Sequence, residues 1–160
     1  MKISNSRHNI VAFAALLLMV AFAFSSCQNN GHIGSLFGTW SLYEMKIDGE
    51  PAADFDSEST LWSFQNNIIF ISRVGDHHTY TNYFGTWEKA DDGKVLLLDY
   101  THSADGISPG TSSYTAPTWL GFTPNEIMRL TFIKDSSREM VLTWTNPEGK
   151  IYTYYLRKTW

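Results

Sequence analysis

From residue 37 onward, turn-forming clusters cut the chain into eight strand-length segments. That spacing constrains the fold more than any other feature. The segments are 37–48, 60–65, 68–74, 79–89, 94–101, 126–134, 138–145 and 150–158. Between them fall Asp48-Gly49-Glu50-Pro51, Asn66-Asn67, Gly75-Asp76-His77-His78, Asp91-Asp92-Gly93, Asp135-Ser136-Ser137 and Asn146-Pro147-Glu148-Gly149, all residues that favour tight reversals. One connection is long, the Gly/Ser/Thr/Pro-rich stretch 103–125. No segment of this part reads as a helix. Eight sequential antiparallel strands close into an up-and-down barrel, which removes both sheet edges. A two-sheet sandwich is the alternative, but it needs long crossovers and only 103–125 could supply one.

Ahead of this array, residues 1–26 read as a signal peptide. Lys2 and Arg7 precede an apolar run from Ile10 to Phe24, and Ser25-Ser26-Cys27 ends it. The run is too short for a convincing membrane span. Cys27 is the only cysteine, so no internal disulfide can form. A lone cysteine after an apolar run and two serines resembles the lipobox of bacterial lipoproteins. The resemblance implies cleavage before Cys27, lipid on its sulfur, and stable membrane anchoring by two or three acyl chains. An ordinary signal peptide with an incidental thiol is the other reading. The expected organisation is thus 1–26 signal peptide, 27–35 lipidated cysteine and tether, and 36–160 barrel domain. Gln28, which follows the cysteine, favours by resemblance an outer-membrane anchor facing the periplasm.

Lys and Arg number 12 against 16 Asp and Glu, and loss of the leader takes Lys2 and Arg7 but no acid, leaving a net charge of −6. That excludes nucleic acid as an expected partner and argues against a basic lipid-binding face. An aromatic content of 15% with only 18% charged residues suits a β domain with an aromatic interior.

Leu36-Phe37-Gly38-Thr39-Trp40 opens the first segment, and Tyr83-Phe84-Gly85-Thr86-Trp87 repeats its pattern in the fourth. Glycine lets the chain pass close to neighbouring strands, and an indole fills the space where they converge. A Gly-x-Trp at the start of the first of eight strands, with a basic residue near the end of the last, is similar to the lipocalin (calycin) pattern. The lipobox and the ending Tyr152-Thr153-Tyr154-Tyr155-Leu156-Arg157-Lys158 resemble more specifically the lipocalin-like lipoproteins of Bacteroidetes. The resemblance spans residues 36–158. It implies a basic side chain packed over the Trp of Gly-x-Trp, for which Arg157 is the candidate, with Lys158 one face over.

In an up-and-down barrel the loops 49–59, 75–78, 103–125 and 146–149 share one end, and the short turns 65–67, 91–93 and 135–137 share the other. The long loops therefore surround a mouth and the short turns close a floor. Gly38, Trp40, Gly85, Trp87 and Arg157 are expected at the floor as structural residues. Strand alternation points Trp62, Phe64, Ile69, Ile71, Tyr83, Leu96, Leu98, Leu142 and Trp144 inward as candidate ligand-lining residues. They either line an apolar cavity or fill the barrel, and eight strands are wide enough for both outcomes. Tyr114, Trp119 and Phe122 in the long loop are candidates for a lid, or else pack without recognising anything.

His77, His78 and His102, with Asp76, Asp99 or Asp105, lack tight ligand spacing and read as solvated turn residues, so no metal is expected. No cofactor is implied. The serines sit in no nucleophile elbow and no paired carboxylates share an inward face, so an enzyme is not expected. Two functions remain. One is a membrane-anchored carrier binding a small apolar or amphipathic ligand at the mouth. The other is an envelope interaction module whose filled barrel presents loops to a protein or glycan.

Overall fold

The computed structural model describes residues 31–53, 55–56, 59–75, 77, 79–101 and 115–159. Eight strands follow one another: β1 (Gly38–Ile47), β2 (Thr60–Gln65), β3 (Ile68–Val74), β4 (Tyr80–Ala90), β5 (Val95–Asp99), β6 (Ile127–Asp135), β7 (Glu139–Thr145) and β8 (Ile151–Lys158). Each pairs antiparallel with the next, and β8 pairs with β1 to close the barrel. No crossover exists among the described strands, which rules out the sandwich. A two-residue bridge, Glu50–Pro51, pairs back on the end of β1. Among the described residues no helix is long and apolar enough to cross a membrane.

The turns form for local reasons. Asp48 (φ 52) with Gly49 (φ 89), and Asp91, Asp92 and Gly93 (φ 52, 54 and 82), place Asp and Gly in the left-handed conformation that tight hairpins require. Asn66 (φ 51) does the same between β2 and β3.

Two bulges reset the alternation. In the β1–β8 ladder the register shifts between Leu42 and Glu44, so Trp40, Leu42 and then Met45 face inward. A second shift between Phe132 and Lys134 leaves Ile133 outside and 66% exposed. A bulge adds one residue to one strand, bends it and increases its twist, which helps a small sheet curl shut.

The core sits inside the barrel and draws on every strand. Trp40, Trp62, Phe64, Ile69, Ile71, Trp87, Leu96, Leu98, Met128, Leu130, Met140, Leu142, Tyr154 and Leu156 are all buried. At the floor a 3-10 turn over Gly31–Leu36 places Leu36 beneath the barrel, fully buried. The Trp40 indole donates to the Leu36 carbonyl at 2.9 Å, and the Lys158 ammonium donates to the Ser35 carbonyl at 2.8 Å.

Candidate binding site at the barrel mouth

The floor is closed by packing and the mouth by the chain's own long connection. Gly38 begins β1 with φ 112, in the range that favours glycine. Trp40 lies opposite Lys158, whose Nζ stands 5.2 Å from the centre of the indole. Arg157 is not the floor cation. It pairs with Ser41 and so faces outward, where its guanidinium lies 4.7 Å from the Tyr43 ring. Parity decides between the two: with Trp40 opposite Lys158, every inward residue of β8 is even-numbered. Burial lowers the Lys158 pKa from its usual value. Trp87 meets Phe64 edge to face at 5.7 Å in the lower half of the barrel.

Gly85 has a different task. A Cβ there would lie 2.7 Å from the Asp99 carbonyl oxygen and 2.9 Å from the Tyr100 ring. The missing side chain is therefore what lets Tyr100, just past the end of β5, lay its ring inside the barrel, where it is 2% exposed.

At the mouth, Trp62, Tyr100 and Tyr154 surround the ring of Phe122 at 5.9, 6.2 and 5.8 Å. Phe122 comes from the connection between β5 and β6. Its described part, 115–126, makes a 3-10 turn over Thr118–Leu120 and enters the barrel. Ala116, Leu120 and Phe122 are buried, and Trp119 packs half-buried against the core with Arg73 stacked on it at 5.0 Å. Tyr154 donates its phenol proton to the Leu120 carbonyl at 2.6 Å, and the Trp144 indole donates to the Gly121 carbonyl at 3.2 Å. Gly121 (φ 80) rests so closely on Tyr152 that a Cβ would sit 2.4 Å from that ring. The segment 116–122 is therefore a plug seated in the mouth rather than a lid lying across it.

Of the other residues expected to line the interior, Trp62, Phe64, Ile69, Ile71, Leu96, Leu98 and Leu142 are buried inside. Tyr83 and Trp144 are partly buried against the same core, higher in the barrel. Of the expected lid residues, Trp119 and Phe122 belong to the plug and Tyr114 lies outside the described residues. So do Cys27, His78, His102, Asp76 and Asp105. Among the described residues no group of His, Cys, Asp and Glu could hold a metal. Asp99 faces outward and accepts from the backbone and hydroxyl of Thr101, both at 2.7 Å.

Sequence reasoning missed Tyr100, Leu120, Tyr152 and Tyr154. Tyr100 continues the inward alternation of Leu96 and Leu98, so a signal for it was present. The 48–59 connection, acidic in composition, also turns Ala52 and Phe55 onto the core.

Four buried polar groups near the mouth have no hydrogen-bond partner: Thr60 Oγ1, Trp62 Nε1, Tyr100 OH and Trp119 Nε1. Burial raises the Tyr100 pKa, and burial followed by the neighbouring Tyr152 raises that of Tyr154, so both phenols stay neutral donors. A separate depression of about 580 Å³ lies on the outer wall, lined by Thr86, Glu88, Leu97, Asp99 and Ile127 among others; it shares none of the residues of the mouth.

Comparison with known proteins agrees with this architecture. A lipocalin-like protein from Bacteroides uniformis superposes with a TM-score of 0.55 at 18% identity, over 78% of this chain and 99% of that one. An uncharacterised protein from Bacteroides eggerthii gives 0.53 at 17% identity, over 77% and 98%. No curated protein matches in sequence. The sequence pattern of the lipocalin-like domain matches residues 22–158. The chain belongs to the lipocalin-like domain family.

Proposed function

We propose that this protein is a non-enzymatic carrier that takes a small apolar or amphipathic molecule into the mouth half of its barrel. The observation that carries the reading is the mouth itself. An aromatic wall of Trp62, Tyr100, Trp144 and Tyr154 encloses a short loop segment and not a ninth strand. Such a wall, apolar with a few placed donors, is the composition of small-molecule sites. The test is native mass spectrometry of the full chain before and after organic extraction. A lipid-sized mass removed by extraction is expected. Protein that arrives empty and leaves a fluorescent fatty-acid probe unchanged would sink the carrier reading.

A second reading has an observation of its own. Phe122 and Leu120 pack with the buried strand side chains in the described interior, an arrangement that suits an interaction module using its loops alone. Empty protein that captures an envelope protein or a glycan would favour it.

We also propose anchoring through lipid on Cys27 in the cell envelope, at the outer membrane. The motif Ser25-Ser26-Cys27 after an apolar run supports this. Mass spectrometry of the peptide beginning at residue 27 is expected to show the lipid mass. Cys27→Ala is expected to move the protein from the membrane to the soluble fraction.

A further inference from the structure

We propose that the 116–122 segment is a displaceable internal occupant of the ligand seat, and that the seat selects an apolar molecule bearing a neutral carbonyl oxygen. This inference rests on the carrier reading above and names its ligand class.

The occupant shows what the seat recognises. It presents two neutral carbonyl oxygens, of Leu120 and Gly121, to the buried donor Tyr154 OH and the part-buried donor Trp144 Nε1. It places two apolar side chains, Leu120 and Phe122, beside them. Two more donors, Trp62 Nε1 and Tyr100 OH, belong to the rings that pack on Phe122 and have no partner. Leaving such groups unpaired costs stability, so they are better explained by a molecule that pairs with them than by packing. Indole N–H groups can only donate, and phenols donate readily. The complement of these groups is a hydrogen-bond acceptor. Arg73, stacked on Trp119, is exposed at the rim, and the donors Trp62, Tyr100, Trp144 and Tyr154 include no cation, so a carboxylate seated among them would lose hydration without a counter-charge at the donors, whereas a ketone or ester would not. An ammonium would meet donors facing donors.

The segment can also leave. Its own backbone bonds are local, Leu120 N–H to Pro117 O at 2.9 Å and Gly121 N–H to Thr118 O at 2.8 Å. It joins no strand, and the barrel is closed without it by the β1–β8 ladder. Withdrawal would break two side-chain hydrogen bonds and expose an aromatic seat, but no sheet pairing.

The test uses the full chain and four probes of similar length: 2-nonanone, nonane, nonanoate and nonylammonium. Binding is followed by calorimetry and tryptophan fluorescence, with circular dichroism to confirm folding. The expected order is 2-nonanone tightest and nonylammonium weakest. The double variant Leu120→Ala/Phe122→Ala, which weakens the occupant, is expected to bind 2-nonanone at least tenfold tighter than the natural chain. If that variant does not fold, Phe122→Val is used in its place, with a smaller gain in the same direction. Adding Tyr100→Phe is expected to lower ketone affinity about three- to tenfold, the worth of one hydrogen bond, and to leave nonane unchanged. Equal binding of ketone and alkane, or tighter binding of nonanoate, would overturn the carbonyl selection while the carrier reading stood. Equal affinity of the natural chain and the weakened variant would overturn the displaceable occupant. If none of the probes binds any folded variant, the carrier reading falls and takes this inference with it.

Discussion

Tyr154 on β8 donates to the carbonyl of Leu120 at 2.6 Å, a buried bond between residues 34 apart in sequence. With Trp144 it ties the long connection into the barrel. Tyr154→Phe leaves the Leu120 carbonyl buried without that donor, which is expected to cost about 1–3 kcal/mol. Urea unfolding should show the loss. A variant as stable as the natural chain would mean the segment is held by packing alone.

Tyr100→Phe is expected to act in the opposite sense. Its hydroxyl is buried without a partner, so removing it relieves a desolvation cost of about 1–3 kcal/mol. The midpoint of urea unfolding should rise, even as the same change weakens ketone binding. Stability lost to ligand recognition in this way is common at binding sites.

The floor makes a sharper contrast. Lys158→Met removes both the contact with the Trp40 ring and the bond to the Ser35 carbonyl, and about 1–3 kcal/mol of stability is expected to go with them. Arg157→Met, one residue earlier, removes an exposed guanidinium from the half-buried Tyr43 ring on the outer wall and is expected to change stability by no more than about 0.5 kcal/mol. Comparable losses from the two would contradict the placement of Lys158.

Gly121→Ala combines a φ of 80° with a Cβ 2.4 Å from the Tyr152 ring. The left-handed conformation alone costs about 1–2 kcal/mol for alanine. Withdrawal of the 116–122 segment is the expected relief, read as faster proteolysis near residue 121 and a red shift of Trp119 emission. Gly85→Ala, which collides with the Asp99 carbonyl and the Tyr100 ring, should instead lower the stability of the barrel itself.

Tyr100 and Tyr154 also set an alkaline limit. Both phenols have pKa values raised by burial above the usual 10.0, so the folded chain keeps protons that the unfolded chain releases. Their stabilising contribution is complete below about pH 10 and falls as pH rises beyond it, because the unfolded state then binds fewer protons. Lys158, whose pKa burial lowers, works in the other direction. Tyrosinate absorbance is expected to show these two phenols ionising only as the barrel unfolds. Early titration of all tyrosines without unfolding would contradict their burial.

The residues by themselves determined the strand count, the strand ends to within two residues and the closed antiparallel order. Turn chemistry at Asp48-Gly49, Asn66-Asn67 and Asp91-Asp92-Gly93 is local, and alternation along a strand such as Ile69 and Ile71 is local too. Parity across the closing seam is not. The choice of Lys158 over Arg157 rests on the register of β1 against β8, and a bulge at Tyr43 can change which residues of β1 face in. Neither can be read from one strand alone. The fate of the long connection was equally out of reach, because an aromatic among small polar residues looks the same whether it lies over a mouth or inside one. Only the tertiary structure decided that Phe122 goes in. It did so because Gly85 and Gly121 leave room where side chains would collide, and because Tyr154 and Trp144 wait there with donors for the carbonyls of Leu120 and Gly121.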